Sequence, residues 1–265
     1  MTMPSDTTIS KPDAVEIHSV RSEMVTDAGP GRWRIGLIVL SNDYTVERDF
    51  MNMRPSDDVA IFTTRIENTP DCTVATLRQM APRITAATEL LVPEGRLDAV
   101  AYACTSGSVV IGYDTIRDRI RAARPDVACI TPITASLAAL DRFGAQRLAV
   151  LTPYVDDVNA QIARYLQAAG KEVVGFSSFQ IEDNEEMAAL TSDAIYRAAL
   201  IADRPEADAL FISCTAIRAV EVIERIEERL NKPVVTANQA MFWHCLRAAG
   251  CDLEVPGYGA LMRSG

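Results

Sequence analysis

The stretch that decides the fold is "LDAVAYACTSGS" at residues 97–108. Its first half is an apolar run of strand length, and its second half passes through Cys104 into hydroxyl residues and a glycine. A second stretch, "ADALFISCTAI" at residues 207–217, repeats the order of Asp-Ala, apolar strand and Cys-Thr. Because Cys104 and Cys214 follow matching runs, we predict that they occupy equivalent positions in two related halves of the chain.

The repeat extends to the segments that flank these two stretches. "RIGLIVLSNDYTVERDF" at 34–50 and "RLAVLTPYVDDVNAQI" at 147–162 share an arginine, an apolar strand, a polar loop with an aspartate, and a helical segment. Each Cys-Thr segment is also followed by a further apolar run, "PDVACITPITAS" or "NKPVVTANQA". A chance coincidence of two Cys-Thr units is the alternative, and the matching flanks count against it.

Strand-like and helix-like segments alternate along the whole chain, which is typical of an α/β fold with parallel sheets. The predicted strands are "WRIGLIVL", "VAIFTTRI", "DAVAYAC", "VACITPI", "RLAVLTP", "KEVVGFSSF", "DALFISC" and "KPVVTA". The predicted helices include "CTVATLRQMAPRITAATELLV", "VDDVNAQIARYLQAAG" and "AIRAVEVIERIEERL".

We therefore expect two similar α/β lobes related by a pseudo-twofold axis. Residues 31–138 plus 238–265 are assigned to the first lobe, 139–237 to the second, and 1–30 to a flexible N-terminal lead with a short ordered piece around residues 15–20. Ligands bind at the carboxyl edge of open parallel sheets. The two Cys-Thr segments should therefore face each other across one cleft.

The composition of the chain argues against nucleic-acid binding and against insertion into a membrane. The chain has 265 residues, of which 48% are hydrophobic and 23% are charged, with a net charge of −10. An acidic chain without a basic block is a poor match for nucleic acid, and no apolar stretch reaches the ~18 residues of a membrane span. The polar residues 1–30 lack the apolar core of a signal peptide. We expect a cytoplasmic protein with reduced cysteines and no nucleic-acid or membrane partner.

The position of the cysteines predicts their chemistry. Thr105 or Ser106 is expected to cap a helix, as is Thr215 after Cys214, so each thiol would lie beside unpaired N–H groups. Such a position lowers a thiol pKa and can dock a substrate carboxylate without a metal or cofactor. Two facing thiols suit either two-base proton exchange or addition followed by protonation. Inert buried thiols are the alternative.

With these motifs in hand, the chain resembles the aspartate/glutamate racemase superfamily. It is most similar to the branch of maleate cis–trans isomerase and arylmalonate decarboxylase, and within that branch to ectoine-utilisation proteins. The resemblance rests on "GLIVLSNDYTVERDF", "ACTSGSVVIG" and "FISCTAI" and covers about residues 33–260. It implies two lobes with the active site between them, no cofactor, and a homodimer or homotetramer.

The resemblance also implies roles for individual residues. Cys104 would be the nucleophile or first base, and Cys214 the acid or second base. Tyr154 in "TPYVDD" would donate a hydrogen bond to a substrate carboxylate, and Asn184 in "IEDNEEMA" matches the family's pocket asparagine. The remaining carboxylate contacts would come from Thr105, Ser106 and Thr215.

One loop departs from the maleate isomerase pattern, which has an asparagine that helps to hold a carboxylate. Here the aligned residue in "SNDYT" is Asp43, which would repel a dicarboxylate unless it is protonated or turned away. An aspartate could instead pair with a substrate ammonium, which favours an amino- or amido-acid such as a diaminobutyrate derivative of ectoine. Asn42 could alternatively take the role of the asparagine.

Two other functions stay open. Arylmalonate decarboxylases have a glycine in place of the first cysteine, so decarboxylation by Cys214 alone is one alternative. A ligand-binding or regulatory relative without turnover is the other.

Other polar or thiol groups favour structural roles. His244, Cys245 and Cys251 do not supply the four ligands of a zinc site and indicate a packed helix. Cys72 and Cys129 are interpreted as structural. The acidic run "EDNEE" is typical of a solvated turn, so Asn184 is a candidate through the resemblance alone.

Overall fold

The computed structural model describes residues 18–264. Residues 1–17 and 265 lie outside the described residues, and with them most of the predicted N-terminal lead and the start of its ordered piece. The chain divides into two units, 1–30 and 31–265. The described part of the first unit contains one 3₁₀ turn, Arg21–Glu23, whose side chains are exposed. The site described below belongs entirely to the second unit.

All eight predicted strands are confirmed. Most of them are buried apolar runs, as expected for strands covered on both faces, whereas Val59–Ile66 and Glu172–Ser178 are only partly buried. Their bounds are Trp33–Leu40 (β1), Val59–Ile66 (β2), Ala99–Tyr102 (β3), Ala128–Ile130 (β4), Arg147–Thr152 (β5), Glu172–Ser178 (β6), Ala209–Ile212 (β7) and Val234–Thr236 (β8).

The strands form two four-stranded sheets with the same internal order. One sheet runs β2-β1-β3-β4 and the other β6-β5-β7-β8, and every pairing is parallel. In each sheet the strand that precedes a Cys-Thr segment lies in the interior, between two neighbours. The predicted pair of similar α/β lobes is therefore confirmed.

The Arg and Asp positions of the sequence repeat meet at the start of each sheet. The backbone N–H of Arg34 donates to Asp98 Oδ2 at 2.7 Å, and that of Arg147 donates to Asp208 Oδ2 at 2.7 Å. Each aspartate thus joins the start of the first strand of its lobe to the start of the third. Asp98 and Asp208 therefore have the same structural role in the two halves of the repeat.

The helices cover the two sheets and connect consecutive strands. Their bounds are Val46–Asn52 (α1), Val74–Arg78 (α2), Ile84–Glu89 (α3), Thr105–Ile111 (α4), Tyr113–Ala123 (α5), Pro132–Arg142 (α6), Asp156–Ala168 (α7), Asn184–Ala189 (α8), Ser192–Ala202 (α9), Ile223–Leu230 (α10), Ala237–Ala248 (α11) and Gly259–Met262 (α12). Within residues 18–264, no helix has the length and apolar character needed to cross a membrane.

Two of the predicted helices differ from the structure. The helix expected after Cys72 is interrupted by a 3₁₀ turn, Ala81–Arg83, because Pro82 has no N–H to donate. The helix expected after Thr215 begins only at Ile223, after a 3₁₀ turn at Ala219–Val222. The cause of this second difference lies in the site.

Candidate active site

Cys104 lies two residues beyond β3 and is itself the N-cap of α4. Its sulfur accepts a hydrogen bond from the backbone N–H of Gly107 at 3.2 Å. The prediction that Thr105 or Ser106 caps this helix is wrong by one or two residues. The backbone of Cys104 is still extended, with φ −147° and ψ 113°, and its side chain points back over the first turn.

Gly107 is required by the close approach of this thiol. A Cβ at position 107 would lie 2.8 Å from Cys104 Sγ and 2.9 Å from the Tyr102 hydroxyl. Both distances are shorter than carbon makes with sulfur or oxygen in folded proteins. The glycine of "CTSGS" therefore makes room for the sulfur and supplies its hydrogen-bond donor.

Cys214 occupies the equivalent place, two residues beyond β7, but no regular helix follows it directly. The prediction that Thr215 is a helix N-cap is therefore wrong. The carbonyl of Thr215 accepts from Asn238 Nδ2 at 2.9 Å, and the carbonyl of Ala216 accepts from Thr45 Oγ1 at 2.7 Å. Because distant side chains occupy these carbonyls, they do not begin a helical ladder.

The sulfur of Cys214 has two donors of its own. The backbone N–H of Ala216 donates to it at 3.3 Å, and the Tyr154 hydroxyl forms a hydrogen bond with it. Tyr154 is 2% exposed and is held through its carbonyl, which accepts from Asn159 Nδ2 at 2.7 Å and from the Ser178 hydroxyl. The tyrosine is thus fixed beside the second thiol.

Both thiols line one cavity of about 310 Å³ at the carboxyl edges of the two sheets. It contains eight of the nine predicted site residues, since its walls are Leu40, Asn42, Asp43, Cys104, Ser106, Tyr154, Asn184, Cys214, Thr215 and Ala216. Thr105 is the exception: it is 1% exposed, and its hydroxyl has no hydrogen-bond partner.

The walls of the cavity can bind an anion through neutral hydrogen-bond donors rather than through positively charged side chains. No lysine, arginine or histidine is among the described residues that line it. Hydroxyl groups and the Asn42 and Asn184 side chains lie in its walls, and first-turn N–H groups of α4 have no intrahelical partner. A single carboxylate can be held by such donors. A second negative charge would find no counter-charge in these walls.

The expected lowering of the thiol pKa values is not observed. Burial raises the pKa of Cys104 to about 12, and the Gly107 N–H opposes this only in part. Burial likewise raises the pKa of Cys214 to about 12 against the Tyr154 and Ala216 hydrogen bonds. The expectation considered the N–H donors but not the loss of water around the sulfur. Both groups are therefore thiols at neutral pH.

Asp43 is a buried carboxyl in the same wall. Its Oδ1 accepts the backbone N–H groups of Thr45 and Val46, each at 2.8 Å, so one oxygen organises the start of α1. Burial raises the pKa of Asp43 to about 6 despite these two bonds. Arg65 fixes the loop by donating to the carbonyls of Leu40 and Asp43, each at 3.1 Å. Asp43 is therefore mostly ionised at neutral pH.

The sequence analysis missed Asp49 and Asn238, which lie behind the Cys214 loop. Asn238 Nδ2 donates to Asp49 Oδ2 at 2.8 Å as well as to the Thr215 carbonyl. Asp49 is fully buried, and burial raises its pKa to about 7. Asn238 follows β8, so its place at a strand end is the one signal the sequence offered.

A second cavity of about 250 Å³ adjoins the first and shares Leu40, Cys104, Ser106 and Asn184 with it. Its other walls are Asn68, Thr69, Asp71, Cys72, Thr76, Leu77 and Met80. Cys72, which the sequence analysis interpreted as structural, lies in this wall together with Cys104. Cys129, in contrast, lies in β4 and lines neither cavity.

Two loop segments meet beside both cavities. Asp71 and Asp183 form an isolated antiparallel bridge, and the Cys72 N–H donates to the Glu182 carbonyl at 3.1 Å. Asn184 donates to the Pro70 carbonyl through Nδ2 at 2.9 Å. The acidic run around Asn184 is therefore not a free surface turn, since it joins the two lobes.

The other thiols of the C-terminal region belong to the core. Cys245 lies on α11, which packs against α6, and both Cys245 and Cys251 are fully buried. Among residues 18–264, no three His, Cys, Asp or Glu side chains are grouped so that they could hold a metal ion.

Residues 35–262, with both thiols and the cavity they share, match the arylmalonate decarboxylase (Amdase) family. The chain belongs to the arylmalonate decarboxylase family. It is 25% identical over 244 residues to a maleate isomerase of Nocardia farcinica, covering 87% of this chain and 95% of that protein. It is 36% identical over 138 residues to the arylmalonate decarboxylase of Bordetella bronchiseptica, covering 50% of this chain and 57% of that protein.

Solved structures of the arylmalonate decarboxylase family share this fold. A Cys-to-Ser variant of the Nocardia farcinica maleate cis–trans isomerase, with a covalently bound succinylcysteine intermediate, superposes on this chain with a TM-score of 0.80. That comparison has 23% sequence identity and covers 87% of this chain and 98% of the other. The two-lobe architecture is thus the architecture of the family.

Proposed function

We propose that the protein is a cofactor-independent isomerase or racemase of a small carboxylate that uses Cys104 and Cys214. The observation that carries the proposal is the single cavity lined by both thiols and by Tyr154. One carboxylate of the substrate binds to the hydroxyl, amide and N–H donors of this cavity. The protein works as a cytoplasmic homodimer or homotetramer, without a nucleic-acid or membrane partner.

The paired thiols allow two related reactions. With an unsaturated acid, the Cys104 sulfur bonds to one alkene carbon and the Cys214 proton goes to the other, so that the new single bond can rotate. Return of that proton to Cys214 and loss of the sulfur then restore the alkene. With a saturated acid, one thiolate removes the α-proton and the other thiol protonates the opposite face.

Either reaction needs one sulfur to lose its proton first. Among the groups of the cavity, Asp43 has a pKa of about 6, which suits it to accept a proton near neutral pH. Its negative charge contributes to the raised pKa of Cys214, which supports a place close to that thiol. Asp43 is therefore proposed to receive the thiol proton or to pair with a substrate ammonium.

The charge of the cavity favours a substrate with one net negative charge or none. A buried carboxyl and the lack of a lining cation both disfavour a dianion such as maleate. We therefore propose an amino- or amido-acid. The similarity of the motifs to ectoine-utilisation proteins suggests a diaminobutyrate derivative.

The named relatives support the covalent route. The Cys-to-Ser variant of the Nocardia farcinica isomerase carries a succinylcysteine intermediate, in which a cysteine sulfur is bonded to a four-carbon acid. Cys104 in this chain lines the cavity that also contains Cys214, as a covalent route of this kind requires.

Decarboxylation of a malonate-type acid is the second candidate. It is favoured by the 36% identity to an arylmalonate decarboxylase over half of the chain. In that reaction carbon dioxide leaves and Cys214 protonates the resulting carbanion. Cys104 would then have no chemical role.

A panel of small acids in heavy water separates the candidates. The panel contains maleate, α-amino acids with neutral, acidic and basic side chains, N-acyl diamino acids and substituted malonates, followed by NMR. We expect deuterium at the α-carbon of a member that carries one net negative charge or none, and geometric conversion of maleate would contradict the argument from the charge of the cavity. Release of carbon dioxide from a malonate alone would establish the decarboxylase, and binding without turnover would establish a ligand-binding relative.

A further inference from the structure

The proposed reaction leaves one thiol of the site without a role. Cys72 is 4% exposed and lines the smaller cavity together with Cys104 and Ser106. Its backbone is held by the hydrogen bond from its N–H to the Glu182 carbonyl at 3.1 Å. The thiol is therefore fixed beside the first catalytic candidate.

The Ser106 hydroxyl lies between two sulfur atoms. Its oxygen is 3.5 Å from Cys72 Sγ and 3.7 Å from Cys104 Sγ, and Ser106 is 3% exposed. In each contact either atom can be the donor. The three groups form a short hydrogen-bonded row, Cys72–Ser106–Cys104. Which atom donates in each contact depends on which groups carry a proton.

The positions of the protons decide the direction of the hydrogen bonds in this row. A hydroxyl has one O–H and a neutral thiol has one S–H. The Ser106 O–H can point to Cys72 while Cys104 donates to the oxygen, or it can point to Cys104 while Cys72 donates. A Cys104 thiolate has no proton to donate, so only the second arrangement keeps both contacts. The Gly107 N–H already donates to the same sulfur.

We propose that Cys72 is a positioning residue: its S–H donates to Ser106 and so turns the Ser106 hydroxyl toward the Cys104 sulfur. The inference rests on the proposed role of Cys104 as nucleophile or base. Hydrogen bonds to a charged acceptor are stronger than those to a neutral one, and a chain of donors reinforces its members. Cys72 thereby stabilises the thiolate that the reaction requires, provided that Cys72 itself remains protonated.

This condition has an electrostatic reason. Burial is the largest cause of the raised pKa of Cys104, and the interaction with a negative charge on Cys72 is the second largest. Burial also raises the pKa of Cys72, which keeps it protonated at neutral pH. A thiol at position 72 helps Cys104, whereas a thiolate there would oppose it. The two possibilities predict opposite effects of removing the side chain.

The test uses the free protein, so it does not depend on the identity of the substrate. The rate of Cys104 alkylation by iodoacetamide at pH 8.5 (roughly the pKa of a free thiol) is measured by peptide mass spectrometry. We expect Cys72→Ala to slow alkylation of Cys104 by about threefold to tenfold, the effect of raising a pKa by up to about one unit. Cys72→Ser should restore the rate, since serine also donates. Cys129→Ala, a buried cysteine outside both cavities, is the matched control and should change nothing.

The role of Ser106 is tested by combining variants. In a Ser106→Ala background, Cys72→Ala should have no further effect on Cys104, because the path between them is gone. An unchanged or faster rate in Cys72→Ala would overturn the proposal, since the smaller side chain would then act only by opening access or by removing charge. A full Cys72 effect that persists without Ser106 would overturn it as well.

Infrared spectroscopy provides a readout that does not need Cys72→Ala to fold. The S–H stretch of Cys72 is identified as the band that disappears in Cys72→Ser. Because a donating S–H vibrates at lower frequency than a free one, Ser106→Ala should move this band to higher frequency. A band that stays in place would show that Cys72 does not donate to Ser106 and would contradict the proposal. Failure of the proposed enzymatic function would leave these observations unchanged.

Discussion

Around Cys104, the identity of each neighbour follows from the space and the donors that the sulfur needs. Gly107 lies one turn further along α4 and donates its N–H to Cys104 Sγ. A side chain at this position would contact both that sulfur and the Tyr102 hydroxyl. The shape of the cavity near the first thiol therefore depends on a residue that has no side chain.

Replacing Gly107 with alanine tests whether turnover depends on the position of the Cys104 sulfur rather than on the stability of the fold. The added Cβ would lie 2.8 Å from Cys104 Sγ, so the sulfur must move, and we expect turnover to fall by about 100-fold, the typical cost of misplacing a reacting group by ~1 Å. Gly144→Ala is the control, because position 144 has a positive φ of 64° but open space around an added Cβ. Equal losses of activity in the two variants would contradict the argument.

Asp43 should make activity depend on pH. Its carboxyl has a pKa raised to about 6 by burial, so it gains charge as the pH rises through that value. If the charged form accepts a proton or binds an ammonium, kcat/KM should rise between pH 5 and 7, within about one unit of that pKa, and then level off. Asp43→Asn should be slow and should lack this inflection. A kcat/KM that falls over the same range would show that the charge repels the substrate instead.

At the scale of secondary structure, the predictable and the unpredictable parts have different physical origins. Strands buried on both faces are continuous apolar runs, and these runs, together with the partly buried β2 and β6, were all predicted from the sequence. The place of both thiols at strand ends followed from the same runs. The delayed start of α10 could not be predicted, because it depends on Thr45 and Asn238, which are distant in sequence from Thr215.

Most residues of the candidate site could also be predicted from the sequence, but Cys72 and the raised thiol pKa values could not. Cys104 and Cys214 follow matching strands and were predicted from the sequence repeat, whereas Asn42, Asp43, Tyr154 and Asn184 were named through the family resemblance. Cys72 lies in a loop whose position is set by pairing with residues 182–184, and no local pattern encodes that pairing. The raised thiol pKa values were missed because burial is a property of the assembled lobes.

The two loop segments beside the cavities give a prediction for Asn184. Its Nδ2 donates to the Pro70 carbonyl at 2.9 Å, and its side chain lines both cavities. Asn184→Ala should raise KM by about tenfold, the effect of losing roughly one hydrogen bond, with a smaller change in kcat. Glu186→Ala, at an exposed position on the same helix, should leave KM unchanged. A KM increase of equal size in both variants would show a general effect on α8 rather than a loss of these contacts.

For the molecule as a whole, the two lobes form one compact unit around buried polar groups. Asp49 on α1 bonds to Asn238 on α11, and through it to the loop of the second lobe that carries Cys214. The carboxyl is fully buried, and its pKa is raised to about 7. The folded protein therefore binds a proton here that the unfolded chain has already released.

This proton makes stability depend on pH. Because the folded pKa lies above the unfolded value of 3.8, the free energy of unfolding should fall as the pH rises from about 4 through 7. The size of this contribution is on the order of 2–4 kcal/mol. Asp49→Asn should lose it, measured as the difference from wild type in urea unfolding at several pH values. Asp57→Asn, whose side chain is 97% exposed, is the control. A wild-type and Asp49→Asn difference that does not vary with pH would contradict the account.

The central claim is that Cys104 and Cys214 act on one substrate in one cavity. The most direct test is the turnover of Cys104→Ala and Cys214→Ala, followed by NMR in heavy water on the acid that the wild-type protein converts. The account predicts that each variant folds, binds the acid and loses conversion by at least about 1,000-fold, as expected when one member of a catalytic pair is removed. Near-wild-type conversion by either variant would contradict it.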